Sequence, residues 1–216
     1  MAITLATGTL VAVASTYGTA FDITAITNAN PAVATLSAAH GVIVGDFIEI
    51  TSGWDLLTNR VVRVSAVSTN DVTLEGINTS STSNYPSGTG TGTGREITAW
   101  TNITQIQSIG GSGGEQNYAD ITTITDRVQK QVPTTRGAQT IDLTVFDDPS
   151  LSYYSVVQTA SDTNALTALR IIFPNSSRML ANGYFSLQKT PNVEINAPLS
   201  ASINFSSAAD PMRYST

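Results

Sequence analysis

The chain has 216 residues, of which 41% are hydrophobic and only 12% charged, and it carries a net charge of −6 and no cysteine. Plentiful apolar residues exclude a disordered chain, and the missing cysteines exclude disulfides and thiolate metal sites. The acidic balance, with Lys130 and Lys189 as its only lysines, argues against stable nucleic-acid binding, because neutralising phosphates requires many Lys and Arg.

The N-terminal stretch, residues 3–26, is rich in Thr and Ala and predicts one or two strands that turn near Tyr17-Gly18. Leu10–Ala14 followed by Ser15 superficially resembles a signal-peptide cleavage site. A secretory signal needs a positively charged start, however, and the first fifty residues contain no Lys or Arg. No apolar run approaches the length of a membrane span. We therefore expect a soluble protein, made in the cytoplasm, with no membrane partner.

Residues 31–77 form a block of short apolar clusters separated by polar turns, which is typical of a small antiparallel barrel or meander. The following low-complexity stretch, residues 80–94, is rich in Gly, Ser and Thr and predicts a flexible linker. We therefore expect a small inserted β module over residues 31–94, within a larger β domain formed by residues 1–30 and 95–216.

One segment predicts a helix in this mainly-β chain. Asp148 is a suitable N-cap, Pro149 suits the first helical position, and Leu151, Tyr154 and Val157 recur at three-residue spacing. This pattern predicts one helix from Pro149 to about residue 160. A hairpin follows, with strands over residues 168–173 and 179–188.

Alternation of apolar and polar residues predicts strands over residues 124–132, 140–146 and 193–205. The last segment places apolar residues at every odd position from Val193 to Phe205. It is long for a strand, and Pro198 cannot donate to a ladder, so we expect a bend there. Each of these strands should bury one face and show a polar one.

Residues that carry chemistry are few and scattered. His40 is the only histidine and lies at a turn, where a structural role is favoured. Asp147-Asp148 is better explained by the helix cap than by a metal pair, and nothing in the sequence brings Asp142 and Glu194 together as a glycosidase would require. We expect no catalytic residue, no metal site and no cofactor.

Two further patterns suggest binding sites but have simpler interpretations. Gly88–Gly94 lacks the Lys-Ser/Thr pair of a phosphate-binding loop. Trp54 and Trp100 could mark a carbohydrate platform, yet they lie in different segments, so packing in a core or an interface is the expected role.

The order of elements resembles the tail tube protein of lambda-like siphophages. The resemblance rests on the alternating strand Gly137–Phe146, the helix after Asp148-Pro149, the turn Ile172-Phe173-Pro174-Asn175 and the strand start Gly183-Tyr184-Phe185. The Gly-Gly-Ser-Gly-Gly run at 110–114 and the Ile-Thr-Thr-Ile-Thr-Asp run at 121–126 also look like this family's extended loop. The likeness is closest over residues 97–207.

The inserted block is similar to small β modules of phage structural proteins, through His40-Gly41, Gly45-Asp46 and Val72–Gly76. Two roles stay open for it, as decoration of a tube exterior or as part of subunit packing.

The resemblance implies a tail-tube-type β-sandwich or barrel with one flanking α-helix, a structural and non-enzymatic protein of the virion tail. Copies would form hexameric rings whose sheets join into an inner barrel, and stacked rings would make the conduit for DNA ejection. The other implied partners are the tape measure, tail terminator and tail tip proteins, with double-stranded DNA passing through without stable binding. The extended loop, about residues 110–135, and both termini would make the stacking contacts, with these loop residues: Gly110, Gly111, Gly113, Gly114, Tyr118, Asp120, Arg127 and Lys130.

The polar side of the alternating strands is the expected lumen wall, with an ordinary solvent face as the alternative. Short hydroxyl and amide side chains with few carboxylates would give it a hydrated, weakly negative surface. Its residues are Asp142, Thr144, Glu194, Asn196, Ser200, Ser202 and Asn204. Two other functions stay open, a surface module that binds a receptor or glycan and the inner tube of a contractile injection apparatus.

Overall fold

The computed structural model describes residues 6–215 and confirms a mainly-β fold, with fifteen strands and one helix in that range. The first seven strands are β1 (Leu10–Tyr17), β2 (Phe21–Ile26), β3 (Ala32–Leu36), β4 (Phe47–Ser52), β5 (Arg60–Ser68), β6 (Asp71–Leu74) and β7 (Gly92–Ile103). The remaining elements are β8 (Ile106–Ser112), β9 (Gln116–Asp120), β10 (Gln131–Arg136), β11 (Thr140–Phe146), α1 (Ser152–Thr163), β12 (Thr167–Ile172), β13 (Arg178–Leu187), β14 (Ser200–Ser207) and β15 (Met212–Tyr214).

Six strands close into a small antiparallel barrel in the order β2-β3-β6-β5-β4-β7, because β7 pairs with both β4 and β2. We call this unit the barrel. Its interior is filled by aliphatic side chains such as Ile50, Val64 and Leu74, with the fully buried Trp54 among them. Closure leaves the barrel no free strand edge.

The glycine-rich stretch that predicts a linker leads directly into the barrel wall. Gly92 and Gly94 are the first residues of β7, and a side chain on Gly92 would collide with the carbonyl oxygen of Thr51. Just before them, the indole nitrogen of Trp54 donates to the carbonyl oxygen of Pro86 at 2.9 Å. The barrel also uses β2, from residues assigned by sequence to the first domain, and the division into two domains at residues 30 and 94 stays a prediction.

The second unit, which we call the sandwich, continues from the same strand in the order β7-β1-β12-β13-β14-β11-β8. Its bent sheet surrounds one apolar core, to which α1 contributes Tyr153, Val157 and Ala160. Core residues from opposite ends of the path, such as Val13 of β1 and Leu143 of β11, belong to this one cluster. The predicted strand over residues 140–146 and the predicted hairpin are present, as β11 and as β12 with β13.

Barrel and sandwich share β7 and a small apolar interface. The interface is made of Ala14, Phe47, Val61, Ile97, Ala168, Leu180 and Tyr214. Polar bonds cross it as well: the amide of Asn182 donates to the Asn59 carbonyl at 3.0 Å, and Arg60 lies 3.2 Å from Asp210. The two units are therefore joined by strand continuity, apolar burial and ion pairing.

The helix begins later than the sequence predicted. It runs from Ser152 to Thr163, and its N-cap is Leu151, which makes no side-chain capping bond. The carboxylate of Asp148 instead accepts bonds from the backbone and hydroxyl of Ser150, at 3.0 and 2.6 Å. The Asp-Pro-Ser sequence thus forms a turn ahead of the helix, because the Asp148 side chain bonds two residues on.

Two predicted strands are wrong over part of their length, since only residues 131–132 of the first belong to a strand, β10, and only residues 200–205 of the second, in β14. Residues 124–130 lie in the turn between β9 and β10, where Ile124 is fully exposed. Residues 193–199 lie outside the sheet, with Val193 75% and Ile195 93% exposed. The second error has a clear cause: Phe146, the last residue of β11, pairs with Ser200, so the chain before Ser200 has no partner strand there.

Tyr214 provides a test of the contact between barrel and sandwich. Its buried hydroxyl accepts a bond from the backbone N–H of Arg63 at 2.9 Å and donates to the Glu75 carbonyl at 3.4 Å. Tyr214→Phe leaves the N–H of Arg63 without this partner, so the free energy of unfolding should fall by about 1–3 kcal/mol. Chemical denaturation measures this loss, with Tyr118→Phe, at a 59% exposed site, as the matched control.

The difference in unfolding free energy between wild type and Tyr214→Phe should also depend on pH. Burial raises the pKa of Tyr214 from 10.0 to about 12, so the neutral phenol contributes stability below pH 10 that is lost as the pH rises towards 12. The difference between wild type and Tyr214→Phe should therefore narrow between pH 10 and 12. Equal stabilities at pH 8 would contradict the proposed role of this bond.

Candidate assembly surfaces

The outer side of the strands β13, β14, β11 and β8 is a polar surface, which we call the polar face. Asp142 lies directly opposite Asn204, and Thr144 opposite Ser202. Directly paired residues share one side of a sheet, so the register extends this surface to both neighbouring strands. The additional members are Ser108, Gly110 and Ser186.

Five of the residues predicted for the lumen wall lie together on β11 and β14: Asp142, Thr144, Ser200, Ser202 and Asn204. Glu194 and Asn196 do not join them, since they lie in the exposed segment before β14. Sequence reasoning missed Ser108 and Ser186, and it named Gly110 for ring stacking rather than for this face. Ser186 alternates with the buried Phe185 and Leu187, a signal that could have found it, whereas the Gly-Gly pair in β8 hides the alternation there.

A free sheet edge borders the polar face. Among the strands of residues 6–215, β8 ends the path of the large sheet and pairs with β11 on one side only. At the other side of the polar face, β13 pairs with β12 as far as Gly183 and continues to Leu187 with β14 as its one partner among the described strands, while the Leu187 N–H donates to the Ser161 hydroxyl at 3.2 Å. Unpaired strand edges are templates for pairing with another chain.

A groove runs beside the β8 edge, with a volume of about 440 Å³. Its apolar lining comes from Ile109, Ile141, Ile171, Phe173 and Met179. Ile109 is 41% exposed although it faces the same side as the core residue Leu143. The β8 edge therefore combines an unpaired backbone, among the described strands, with an exposed apolar surface on the side that faces the core.

Residues 113–138 form a projecting hairpin, which we call the arm. Its two strands, β9 and β10, pair only with each other among the described strands. The arm exposes five large apolar side chains: Tyr118, Ile121, Ile124, Val128 and Val132. Exposed apolar residues concentrated on one segment mark a contact surface for another molecule.

The exposed turns of the arm are nevertheless ordered by local bonds. Asp126 pairs with Lys130 and accepts a backbone bond from Thr123 at 3.0 Å. These bonds, the one from Lys130 most of all, hold the pKa of Asp126 below its usual value. Asp120 is held in the same way by Thr122 and Gln129, which lowers its pKa.

The residues predicted for ring stacking divide between two places. Gly110 and Gly111 belong to β8. The others belong to the arm: Gly113 and Gly114 at its base, Tyr118 and Asp120 on β9, and Arg127 and Lys130 in its turn.

The polar residues considered for chemistry lie apart. His40 bridges a turn, with Nδ1 accepting from the Val42 N–H and Nε2 lying 3.1 Å from the Thr69 carbonyl oxygen. Within residues 6–215 no three His, Asp or Glu side chains are grouped as metal ligands. Trp54 is buried, and Trp100 packs against Phe47. The part of the chain that the structure describes contains no helix long and apolar enough to cross a membrane.

A family model described as phage tail tube protein matches residues 52–216. Comparison with curated proteins gives no match. A solved structure titled virion of the native gene transfer agent particle shares 11% identity at a TM-score of 0.41, over 53% of this chain and 88% of that one. A tube-terminating cap of the anti-feeding prophage shares 14% identity at a TM-score of 0.37, over 53% of this chain and 83% of that one.

The base of the arm depends on one glycine. Gly113 has φ +82°, and a Cβ there would collide with the Ala138 carbonyl oxygen. Gly113→Ala should therefore loosen the arm while leaving the sandwich core intact. Hydrogen exchange should become at least tenfold faster in β9 and β10 and stay unchanged in β11 and β14.

Gly111→Ala is the matched control for this substitution, since its added Cβ would meet its nearest atom at 4.0 Å. Equal exchange rates in Gly113→Ala and in the wild type would show that the arm does not depend on this position.

Proposed function

This chain belongs to the phage tail tube protein family, and we propose that its copies join edge to edge into hexameric rings that stack into the tail tube. Its role is structural, as a component of the virion tail. The observation that carries the proposal is the unpaired β8 edge between the polar face and the apolar groove.

Ring formation follows from the edges of the sheet. When β8 of one copy pairs with the end of β13 in the next, the backbone groups of both edges that are still free gain hydrogen-bond partners, and the contact repeats around the ring. The Leu187 N–H of β13 already donates to Ser161, so the pairing involves the residues before Leu187. The polar faces of neighbouring copies then continue into one another. The groove beside β8 is covered in the same step, which removes its apolar surface from water.

The polar face is then the wall of the lumen. Its side chains are short apart from the exposed Phe146 and Tyr184 and, on β11 and β14, neutral apart from Asp142. A surface without Lys or Arg offers phosphates no ion pairs, so DNA passes without being held. The net charge of −6 acts in the same direction.

The arm makes the contact between rings, and its five exposed apolar side chains would be buried against the neighbouring ring. The tape measure, tail terminator and tail tip proteins are the partners expected inside the tube and at its ends. The protein needs no cofactor in this role, and the proposal assigns it no catalytic step.

Electron microscopy of the purified protein at high concentration tests assembly directly, and tubes or stacked rings are expected. Replacing residues 114–138 with Asn-Gly joins β8 to β11 by a two-residue turn and removes most of the arm. This variant should form rings that do not stack. An inert wild-type monomer that binds a glycan would overturn the proposal in favour of a receptor-binding module.

Charge on the polar face tests the lumen. Ser202→Arg with Asn204→Arg places guanidinium groups where the DNA would pass, so ejection should slow at least several-fold while tube length stays unchanged. Time-resolved DNA release from assembled particles measures this. Arginine at Ser83, an exposed position on the barrel, is the control. Wild-type ejection rates in the double variant would place this face outside the lumen.

A further inference from the structure

Two arginines of the sandwich are held on a pair of touching aromatic rings, which we call the arginine cluster. Phe47 and Trp100 meet edge to face at 6.0 Å. The guanidinium carbon of Arg170 lies 4.5 Å from the Trp100 ring centre, and that of Arg178 lies 5.9 Å from the Phe47 ring centre. Such cation–π contacts orient the two guanidinium groups and leave their N–H donors available.

Both guanidinium groups lack an anionic partner within residues 6–215. Arg60, Arg63 and Arg95 each pair with a carboxylate, whereas Arg170 and Arg178 form neither an ion pair nor a side-chain hydrogen bond there. The Nε atom of Arg170 is buried without an acceptor. Burial and the nearby charge of Arg178 lower the pKa of Arg170. Two adjacent, partly buried cations are costly unless an anion joins them.

The segment before β14, residues 192–199, has the complementary composition, and we call it the acidic loop. Every residue in it is exposed, and Glu194, its only charged residue, forms no ion pair with another described residue. Val193 and Ile195 on either side are 75% and 93% exposed. An apolar pair around a single carboxylate suits a contact with a surface that is both apolar and cationic.

The surface around the arginine cluster has both properties. Arg170 lies opposite Ala12 on β1, and two residues further along both strands Leu10 lies opposite Ile172. Since side chains two residues apart share one side of a strand, Leu10 and Ile172 flank the cluster. Leu10 is 52% exposed.

The acidic loop and the arginine cluster lie at opposite ends of one strand. Arg178 is the first residue of β13, and the acidic loop follows its last residue, Leu187. Nine residues of extended strand separate the two ends by about 30 Å, so loop and cluster do not meet within one copy. Complementary surfaces at opposite ends of a molecule produce head-to-tail assembly.

We propose that the acidic loop of one copy docks on the arginine cluster of another, with the Glu194 carboxylate between Arg170 and Arg178. A carboxylate accepts two parallel N–H bonds from a guanidinium, a strong and directional pairing. Val193 and Ile195 then cover Leu10 and Ile172. The inference rests on the proposed self-assembly and adds a second, charge-specific contact to the β8 edge.

A charge exchange tests this pairing. Glu194→Arg alone meets two like charges, those of Arg170 and Arg178, and should raise the critical concentration for tube formation at least tenfold. Arg178→Glu alone leaves Glu194 with Arg170 as its one cation and with a like charge beside it, and should raise the critical concentration at least threefold. The double variant Glu194→Arg/Arg178→Glu gives residue 194 an opposite charge again while Arg170 remains, so its critical concentration should fall at least threefold below that of Glu194→Arg. Sedimentation of tubes across a concentration series gives the critical concentration, and electron microscopy confirms the product.

Asp55→Arg is the control for a change of two charge units at an exposed position of the barrel. Thermal unfolding of each variant at a concentration below assembly checks that the monomer is intact. Loss of assembly in both single variants without recovery in the double would overturn the direct pairing. Wild-type assembly by Glu194→Arg would overturn the inference and leave the proposed function standing, whereas a wild-type protein that forms no tube would overturn both.

Discussion

The need of every strand edge for hydrogen-bond partners explains the closed barrel of this molecule and underlies its proposed assembly. In the barrel the problem is solved internally, because β7 pairs with β4 on one side and β2 on the other. In the sandwich it is not, since β8 ends the sheet with one side unpaired by any strand of residues 6–215. A soluble monomer would be expected to protect such an edge with charge, proline or a covering loop, and β8 carries no charged residue and no proline. In the proposed assembly this open edge is the joint between copies.

β7 belongs to both units and fixes the position of the barrel relative to the sandwich. Its first residues lie so close to Thr51 that only glycine fits at Gly92, and its later residues pair with β1 in the sandwich. Tyr17, at the end of β1, has its pKa raised to about 12 by burial, and its hydroxyl accepts a bond from the Ala168 N–H at 3.0 Å. Arg95 of β7 lies on the same Tyr17 ring and pairs with the buried Glu49. The barrel is thus tied to the sandwich by buried, bonded groups. Movement of the barrel against the sandwich would break these bonds, so the barrel is a fixed part of the subunit. This attachment is compatible with both roles expected for it.

The sequence predicted elements well where alternation coincided with a partner strand. Ile141, Leu143 and Val145 alternate with polar residues, and β11 forms there because β8 and β14 flank it. The same pattern from Val193 to Leu199 produced no strand, because β11 ends at Phe146. The predicted start of the helix was wrong for a local reason, since the Asp148 carboxylate accepts a bond from the Ser150 N–H and forms a turn before the helix. Of the candidate surfaces, the β11–β14 part of the polar face and most of the arm were predictable. The arginine cluster was not, because it joins residues far apart in the chain.

The two failed strand predictions fall on the two segments that expose the most apolar surface, residues 121–132 and 193–199. Alternation of apolar and polar residues indicates that one side of the extended chain is buried. In most monomers that side is buried by the chain itself, so the pattern and the structure agree. Here the arm and the acidic loop have the alternating pattern, but their apolar side chains do not pack against any other described part of the same copy. In the proposed assembly the missing surface belongs to a neighbouring copy, so the alternation describes the subunit as it stands in the tube. On this argument, disagreement between a clear amphipathic pattern and an exposed segment is itself a guide to the contacts of a self-assembling protein.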